Sequence, residues 1–403
     1  QLGYVFVQLL DRHRIEILFR FLDILRQIVV DIQVITPANV VLSIKVPTCQ
    51  SAAKAIDLQQ RFKKNRVDLQ MSFDIPKTMN AVEISEFGGP EVLKSTTRPV
   101  PEPSDGELLV RNAAVGVNFP DTMQRQGGYP PPPGITDIPG LELAGTVVAV
   151  GPNNSRYSVG DEVCALVSGG AYAEYSVVPE PLALPLPKGY DTVRSAAIPE
   201  NFFTVWTNLF DGVQLVRGDS ILIHGGSGGI GTAAIQVSRA FGATVYTTAR
   251  SAEKCKACKQ LGAELAINYT DEDFVEIVKD ATGGAGCSVV LDMVGGDYFT
   301  RNLEVLAMDG RLAQVAVQKG ARVDLFIPTI MSKRLRYTGS TLRPRTVQQK
   351  AAIAEAVEHN LWPLFEKGDI KPLIYTTFPL TDAADAHALM ESSDHIGKII
   401  LSV

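Results

Sequence analysis

Cysteine is scarce and irregular in this chain. Five cysteines occur in 403 residues, at Cys49, Cys164, Cys255, Cys258 and Cys287. An odd number without repeating spacing excludes a secreted disulfide framework and points to a reducing compartment, here the cytoplasm. The one close pair, Cys255-Lys-Ala-Cys258, has no second pair or nearby histidine beside it, so it reads as two helix cysteines, not a zinc site. Positive charge is not in excess either. Lys and Arg number 38 against 44 Asp and Glu, a net charge of −6, and no basic stripe is present, which argues against nucleic acid as a partner. Long apolar runs are also missing. The stretch from Leu10 to Val34 is broken at Arg12, Glu16, Arg20, Asp23, Gln27 and Asp31, whereas a membrane-spanning helix needs about 20 predominantly apolar residues.

Those interruptions fall three and four residues apart and share one helical stripe, so the segment is expected to be an amphipathic helix packed on the body or on a partner. Its carboxylates do not suit a transit peptide. Ser51 to Pro76 is more polar, with Arg61, Lys63, Lys64 and Arg66, and reads as a linker. The chain opens on Gln1, which fits a processed or fragmentary N terminus, and Met79 fits equally as the natural start of the body. The length suffices for two ordinary domains with a core each.

Short alternating strands with Gly and Pro punctuation run from Asn80 to about Pro187. They include Glu107–Arg111, Gly145–Val150, Glu162–Leu166 and Tyr172–Val177, an all-β pattern that predicts a partly open barrel. After Ala196 the period lengthens. Strands at Ser220–His224, Thr244–Thr248, Leu265–Ile267, Ser288–Asp292 and Arg311–Val315 alternate with helical stretches, which predicts a doubly wound parallel sheet. The fold class is therefore α/β plus β.

Ser220-Ile-Leu-Ile-His224 leads directly into Gly225-Gly-Ser-Gly-Gly-Ile-Gly231, then a helical stretch and a second strand. In that context Gly225, Gly228 and Gly231 permit a tight turn and close backbone approach to a pyrophosphate, which the helix N terminus attracts. A dinucleotide site is expected. The second strand ends in Thr247-Thr-Ala-Arg-Ser-Ala-Glu-Lys254. No carboxylate stands at its tip to receive a ribose 2′-hydroxyl, while Arg250, Ser251 and Lys254 suit a 2′-phosphate. NADPH is favoured over NADH.

The stretch from Met79 to Val403 resembles the medium-chain dehydrogenase/reductase superfamily, in its zeta-crystallin-like quinone oxidoreductase branch. The resemblance rests on Gly116-Val-Asn-Phe-Pro-Asp121, Gln124-Arg-Gln-Gly-Gly-Tyr129, Pro139-Gly-Leu-Glu142, Gly160-Asp-Glu-Val163, Ala197-Ile-Pro-Glu200, the glycine loop and Gly397-Lys-Ile-Ile400. It implies a GroES-like catalytic barrel (79–202 and 340–403), an inserted Rossmann domain (203–339) and no counterpart for the helical N-terminal extension (1–78). It also implies a homodimer built through the Rossmann half. Zinc relatives carry a cysteine early in the barrel and a Gly-His-Glu motif. Here Asn118 and Leu141 stand in those places and the structural-zinc lobe is missing, so no metal is expected.

Without a Lewis acid an isolated ketone is hard to reduce, whereas a quinone or enone delocalises its developing oxyanion onto ordinary hydrogen-bond donors. By the resemblance, Asn118 and Tyr129 are the catalytic candidates. Ser227, Gly228, Gly229 and Ile230 would hold the pyrophosphate, Tyr269 the 2′-phosphate and adenine, Val317 the nicotinamide, and Lys398 the closing strand and phosphates. Asp292, at a strand end, is expected to cap a turn. The expected activity is hydride transfer from NADPH to a quinone. An alkenal or enoyl reductase is the enzymatic alternative, and an NADPH-binding structural protein the non-enzymatic one.

Overall fold

The computed structural model describes residues 73–403 and, before them, the strand segments Gln8–Leu9, Val30–Thr36 and Asn39–Ile44. The three leading segments form a small antiparallel sheet of their own. The helix expected from Leu10 lies outside the described residues as far as Val30. From there the chain is a strand, because Val30-Asp-Ile-Gln-Val34 alternates apolar and polar residues at the period of extended backbone. The linker expected from Ser51 lies outside the described residues up to Ser72. Gln1–Gln70 and Met71–Val403 are separate units, and the second holds the rest of the architecture.

That second unit opens with an antiparallel hairpin, Thr78–Ile84 against Leu93–Pro99. Glu107–Val117 follows as the central strand of a seven-stranded sheet. Glu142–Val150 lines one side of it; Tyr175–Pro179 and the C-terminal strand Lys398–Ser402 share the other. The end of the chain therefore returns to close the barrel, with Ile399 opposite Val117 and Leu401 opposite Val115. Leu108, Val110, Val115, Leu143, Val147 and Val163 fill the interior. The strand expected at Tyr172 begins instead at Tyr175. Tyr172 is drawn aside, its N–H donating to Pro139 O (3.0 Å) and its carbonyl accepting from Val82 N (2.8 Å).

Between these barrel segments runs a six-stranded parallel sheet: Ser220–Ile223, Thr244–Ala249, Leu265–Asn268, Cys287–Asp292, Leu306–Gln314 and Arg336–Gly339. In chain order the strands lie 3-2-1-4-5-6, the order of a dinucleotide-binding doubly wound sheet. Both faces are covered, as parallel sheets require. Ile221 and Ile223 point toward the helices Gly229–Ala240 and Ala252–Leu261, and Leu222 toward Phe274–Ala281 and Tyr298–Val305. The helix Pro199–Trp206 joins the halves. Its Phe202, Phe203 and Val205 share one buried cluster with Ala114, Ala144 and Leu166 of the barrel and Ile221 and Ile223 of the parallel sheet.

Cys255 and Cys258 are free and buried on Ala252–Leu261, as are Cys164 and Cys287 elsewhere. Asp292 caps its turn as expected, Oδ1 accepting from Val294 N at 2.7 Å. Among the described residues no helix is long and apolar enough to cross a membrane.

Candidate active site

The first parallel strand, Ser220–Ile223, is followed by His224, whose buried ring is fixed between Thr248 Oγ1 (3.0 Å) and Asn302 Oδ1 (2.7 Å). The chain then turns sharply at Gly225, with φ of +65°. A Cβ on Gly231 would stand 2.2 Å from Gly225 O, so turn and helix meet backbone to backbone there. Gly228 is different: the nearest atom to its missing Cβ is Gly225 O at 3.5 Å, an ordinary van der Waals distance, and nothing comes closer to that face. No side chain caps the helix Gly229–Ala240, which leaves its first-turn N–H groups for an anion. A tight turn, an uncrowded backbone face and an uncapped helix fit a dinucleotide pyrophosphate. Ser227, 8% exposed, and half-buried Ile230 flank that turn.

Past the tip of Thr244–Ala249, Arg250 is exposed and Ser251 is the N-cap of the next helix, its Oγ accepting from Lys254 N at 3.3 Å. Tyr269 is tied to the same tip by its N–H to Ala249 O (3.1 Å). Arg250 Nη1 donates to Ser392 O (3.4 Å) and the Lys254 ammonium to Ser393 O. Both cations thus rest on carbonyls that end the helix Ala383–Ser392, which packs on the barrel. Glu253 is exposed beside them. Val317 is exposed on the loop after Leu306–Gln314, its Cα 3.0 Å from where a Cβ on Gly295 would stand.

Asn118 precedes the short helix Phe119–Arg125, and the Asp121 carboxylate accepts its main-chain N–H at 2.8 Å. The Asn118 amide is held from three sides. Nδ2 donates to Glu142 Oε1 (2.9 Å) and Gly116 O (3.3 Å), and Oδ1 accepts from Lys398 Nζ. Lys398 also pairs with Glu142 Oε1. All three side chains are buried. The other oxygen of Glu142 accepts the main-chain N–H of Glu200 at 2.8 Å. Lys398 therefore reaches Asn118, and it is the neighbouring Gly397 that joins the glycine turn, its N–H donating to Ser227 O at 2.8 Å.

Tyr129 is half-buried, with the Arg343 guanidinium 5.2 Å from its ring centroid. Arg343 also donates to Tyr129 O (3.1 Å), Gln124 Oε1 (2.8 Å) and Ser168 O (2.7 Å), and Lys350 Nζ to Ser168 Oγ (2.6 Å). Burial is the main force on the acids here. It pushes the Asp121 carboxyl up to about 7, against the pull of the Asn118 N–H and Lys398. Burial and then the Glu142 carboxylate push Glu200 up to about 8. The N terminus of Pro199–Trp206 works the other way by about 0.3–1 kcal/mol, too little to cancel a shift of that size. Burial also raises the Tyr129 hydroxyl and lowers Lys350.

The sequence named Asn118, Tyr129 and Lys398 as candidates and gave no role to Glu142, Glu200, Asp121, Arg343 or Lys350. Glu142 and Glu200 each end a phrase that carries the family resemblance, and that was the available signal. Among the described residues no three His, Cys, Asp or Glu side chains gather as metal ligands. Leu141, next to Glu142, is 2% exposed.

A glycine turn on a parallel sheet, joined at Gly397 to a buried polar cluster in a barrel, defines a two-domain dehydrogenase or reductase. The family model for the alcohol dehydrogenase GroES-like domain matches residues 104–188, and that for zinc-binding dehydrogenases residues 229–358. Rat quinone oxidoreductase is 33% identical over 328 residues, 81% of this chain and 98% of that protein. A quinone oxidoreductase of Pseudomonas aeruginosa is 35% identical over 325 residues, 79% of this chain and 98% of its own length. The structure of Escherichia coli quinone oxidoreductase complexed with NADPH superposes with a TM-score of 0.73 at 31% identity, over 80% of this chain and 100% of that one. The chain belongs to the quinone oxidoreductase branch of the medium-chain dehydrogenase/reductase superfamily.

Proposed function

We propose that this protein reduces quinones with NADPH and without a metal ion. One observation carries the reading: the Gly397–Ser227 bond sets the dinucleotide turn directly against the strand whose Lys398 holds Asn118 and Glu142. Residues 203–339 bind the coenzyme, and 79–202 with 340–403 supply the catalytic barrel. NADPH is the coenzyme of the E. coli relative's structure, and Arg250, Ser251 and Lys254 favour its 2′-phosphate here. Tyr269 borders the adenine end and Val317 the nicotinamide end.

NADPH, when bound, would supply a hydride, which carries two electrons, to the substrate. The protein's share is placement and charge. The Gly225–Gly231 turn anchors the pyrophosphate, Asn118 and Tyr129 border the reacting groups, and the Tyr129 hydroxyl, kept protonated by burial, donates a hydrogen bond to the reduced oxygen. A conjugated acceptor suffices with hydrogen bonds alone, which matches Asn118 and Leu141 at the positions where zinc relatives hold metal ligands. The four described cysteines are free and buried, which supports a cytoplasmic setting, and the protein acts as a homodimer.

Stopped-flow NADPH oxidation with an ortho-quinone, a para-quinone and a medium-chain alkenal tests the assignment. The quinones turn over faster, and a strong chelator leaves the rate unchanged. Faster turnover of the alkenal assigns a C=C reductase instead. Tight NADPH binding with no turnover of any acceptor assigns a structural role, and a loss to chelator restored by zinc refutes the metal-free mechanism.

A further inference from the structure

Glu200 stands at the seam between the parallel sheet's domain and the barrel. It lies in the first turn of Pro199–Trp206, the helix between the two halves. Its neighbour Asn201 packs on the coenzyme turn, with Nδ2 2.8 Å from where a Cβ on Gly229 would stand. On the other side the Glu200 N–H is bonded to Glu142, which holds Asn118 and Lys398. Glu200 therefore occupies the seam between the dinucleotide turn and the Asn118 cluster. Its main chain is fixed, while its half-buried carboxyl has no hydrogen bond or ion pair among the described residues. A carboxyl in this position is free to meet a substrate.

The charges around it come from every packed element. Glu142 faces it from Glu142–Val150, Lys398 from Lys398–Ser402, Asp121 from Phe119–Arg125 and Lys350 from the helix Val347–Lys367. Tyr129 and Arg343, on loops, both respond to its charge. The two acids nearest it raise it and the two lysines lower it, and burial decides for the neutral form.

We propose that Glu200 is the general acid of the reaction, giving its carboxyl proton to the oxygen of a quinone that has accepted hydride. This rests on the quinone reductase reading. The hydride brings two electrons, so NADPH is oxidised to NADP⁺ and the quinone becomes a hydroquinone monoanion. The O–H bond of Glu200 breaks as a new O–H bond forms on that anion. The Glu200 carboxylate then takes a proton from water, and the sum is NADPH, quinone and one proton giving NADP⁺ and hydroquinone. An acid of about 8 is matched to neutral pH, where donor strength and protonated fraction are both adequate. The Tyr129 hydroxyl, raised above its ordinary 10 by burial, is a poorer proton source and serves as a hydrogen-bond donor.

The test uses the full chain and Glu200→Gln, which keeps the main-chain bond to Glu142. In coenzyme-free protein labelled with ¹³C-glutamate, infrared spectroscopy should show a protonated carboxyl band that disappears as pH rises through about 8, absent from the variant. With saturating quinone the wild-type kcat should fall over the same range. Glu200→Gln should lower kcat roughly 100-fold, within the usual span of general acid catalysis, abolish that fall and leave the NADPH Kd unchanged. A variant with wild-type kcat and the same fall overturns the proposal. So does a wild-type protein with no glutamic acid titrating there, whether or not the variant folds. If the wild type oxidises no NADPH with any quinone, the functional reading fails first and takes the proposal with it.

Discussion

At the residue scale the site is a contest between burial and pairing, and pH reports it. Asp121 has an ordinary value of 3.8 and is pushed up to about 7 in the fold. The folded protein thus keeps a proton there that the unfolded chain has released. Stability from this group is complete below pH 3.8 and is lost as pH rises toward 7. Glu200 carries the same sign to about 8. Asp121→Asn retains an oxygen for the Asn118 N–H, and it should remove up to about 1.4 kcal/mol per pH unit of that decline between roughly pH 4 and 7. Urea unfolding at pH 5, 6 and 7 measures it; parallel slopes for variant and wild type would refute the Asp121 assignment. The cations at the strand tip give a second residue-scale test. Each charge-assisted bond is worth about 1.5–3 kcal/mol, so removing both with Arg250→Ala and Lys254→Ala should weaken NADPH roughly 100-fold or more and leave NADH nearly unchanged. Isothermal titration with both coenzymes checks it, and an unaltered preference removes Arg250 and Lys254 from the 2′-phosphate site.

At the element scale the glycine turn separates two kinds of requirement. A methyl on Gly231 meets backbone at 2.2 and 2.6 Å, and backbone cannot step aside cheaply. Gly231→Ala should cost about 1–3 kcal/mol of stability and lose coenzyme binding together with it. Gly228→Ala puts its methyl at an ordinary van der Waals distance, 3.5 Å from Gly225 O, so stability should stay within about 0.5 kcal/mol while the NADPH Kd rises at least tenfold, because the pyrophosphate needs that face. Thermal melts and fluorescence titration of the two variants distinguish them; equal losses of stability would contradict the geometry. This turn was legible in the sequence because strand, glycines, helix and second strand are contiguous, and each obeys a local period. The Asn118 cluster was not legible from local pattern. Lys398 meets Asn118 across 280 positions, and Arg343 meets Gln124 across 219, contacts made only by the return of the chain to the barrel. The family resemblance supplied Asn118, Tyr129 and Lys398 by position. It could not show that Lys398 spends its charge on Asn118 and Glu142, nor that Glu200 stands beside them without an ion pair among the described residues.

At the scale of the whole molecule the parallel sheet ends, among the described residues, in an unpaired edge. Among the described residues Arg336–Gly339 pairs only with Leu306–Gln314. Beside it the chain exposes Phe326 (72%), Ile327, Met331 (70%) and Tyr337, together with Val323 and Leu325. An edge strand with open N–H and C=O groups recruits another strand, and contiguous exposed apolar surface marks an association site. A two-fold copy satisfies both at once, since antiparallel pairing of the two edges continues the sheet and covers each patch with its equivalent. The proposed homodimer therefore predicts that Phe326→Asp with Met331→Asp yields monomers. An unpaired carboxylate buried in such an interface costs about 3–5 kcal/mol, more than a hundredfold in the dimer Kd. Sedimentation velocity at micromolar protein should show the wild type as a dimer and the double variant as a monomer, with NADPH affinity retained because the glycine turn lies on the sheet's interior strand. A wild type that sediments as a monomer across that range would leave the apolar edge to a different partner.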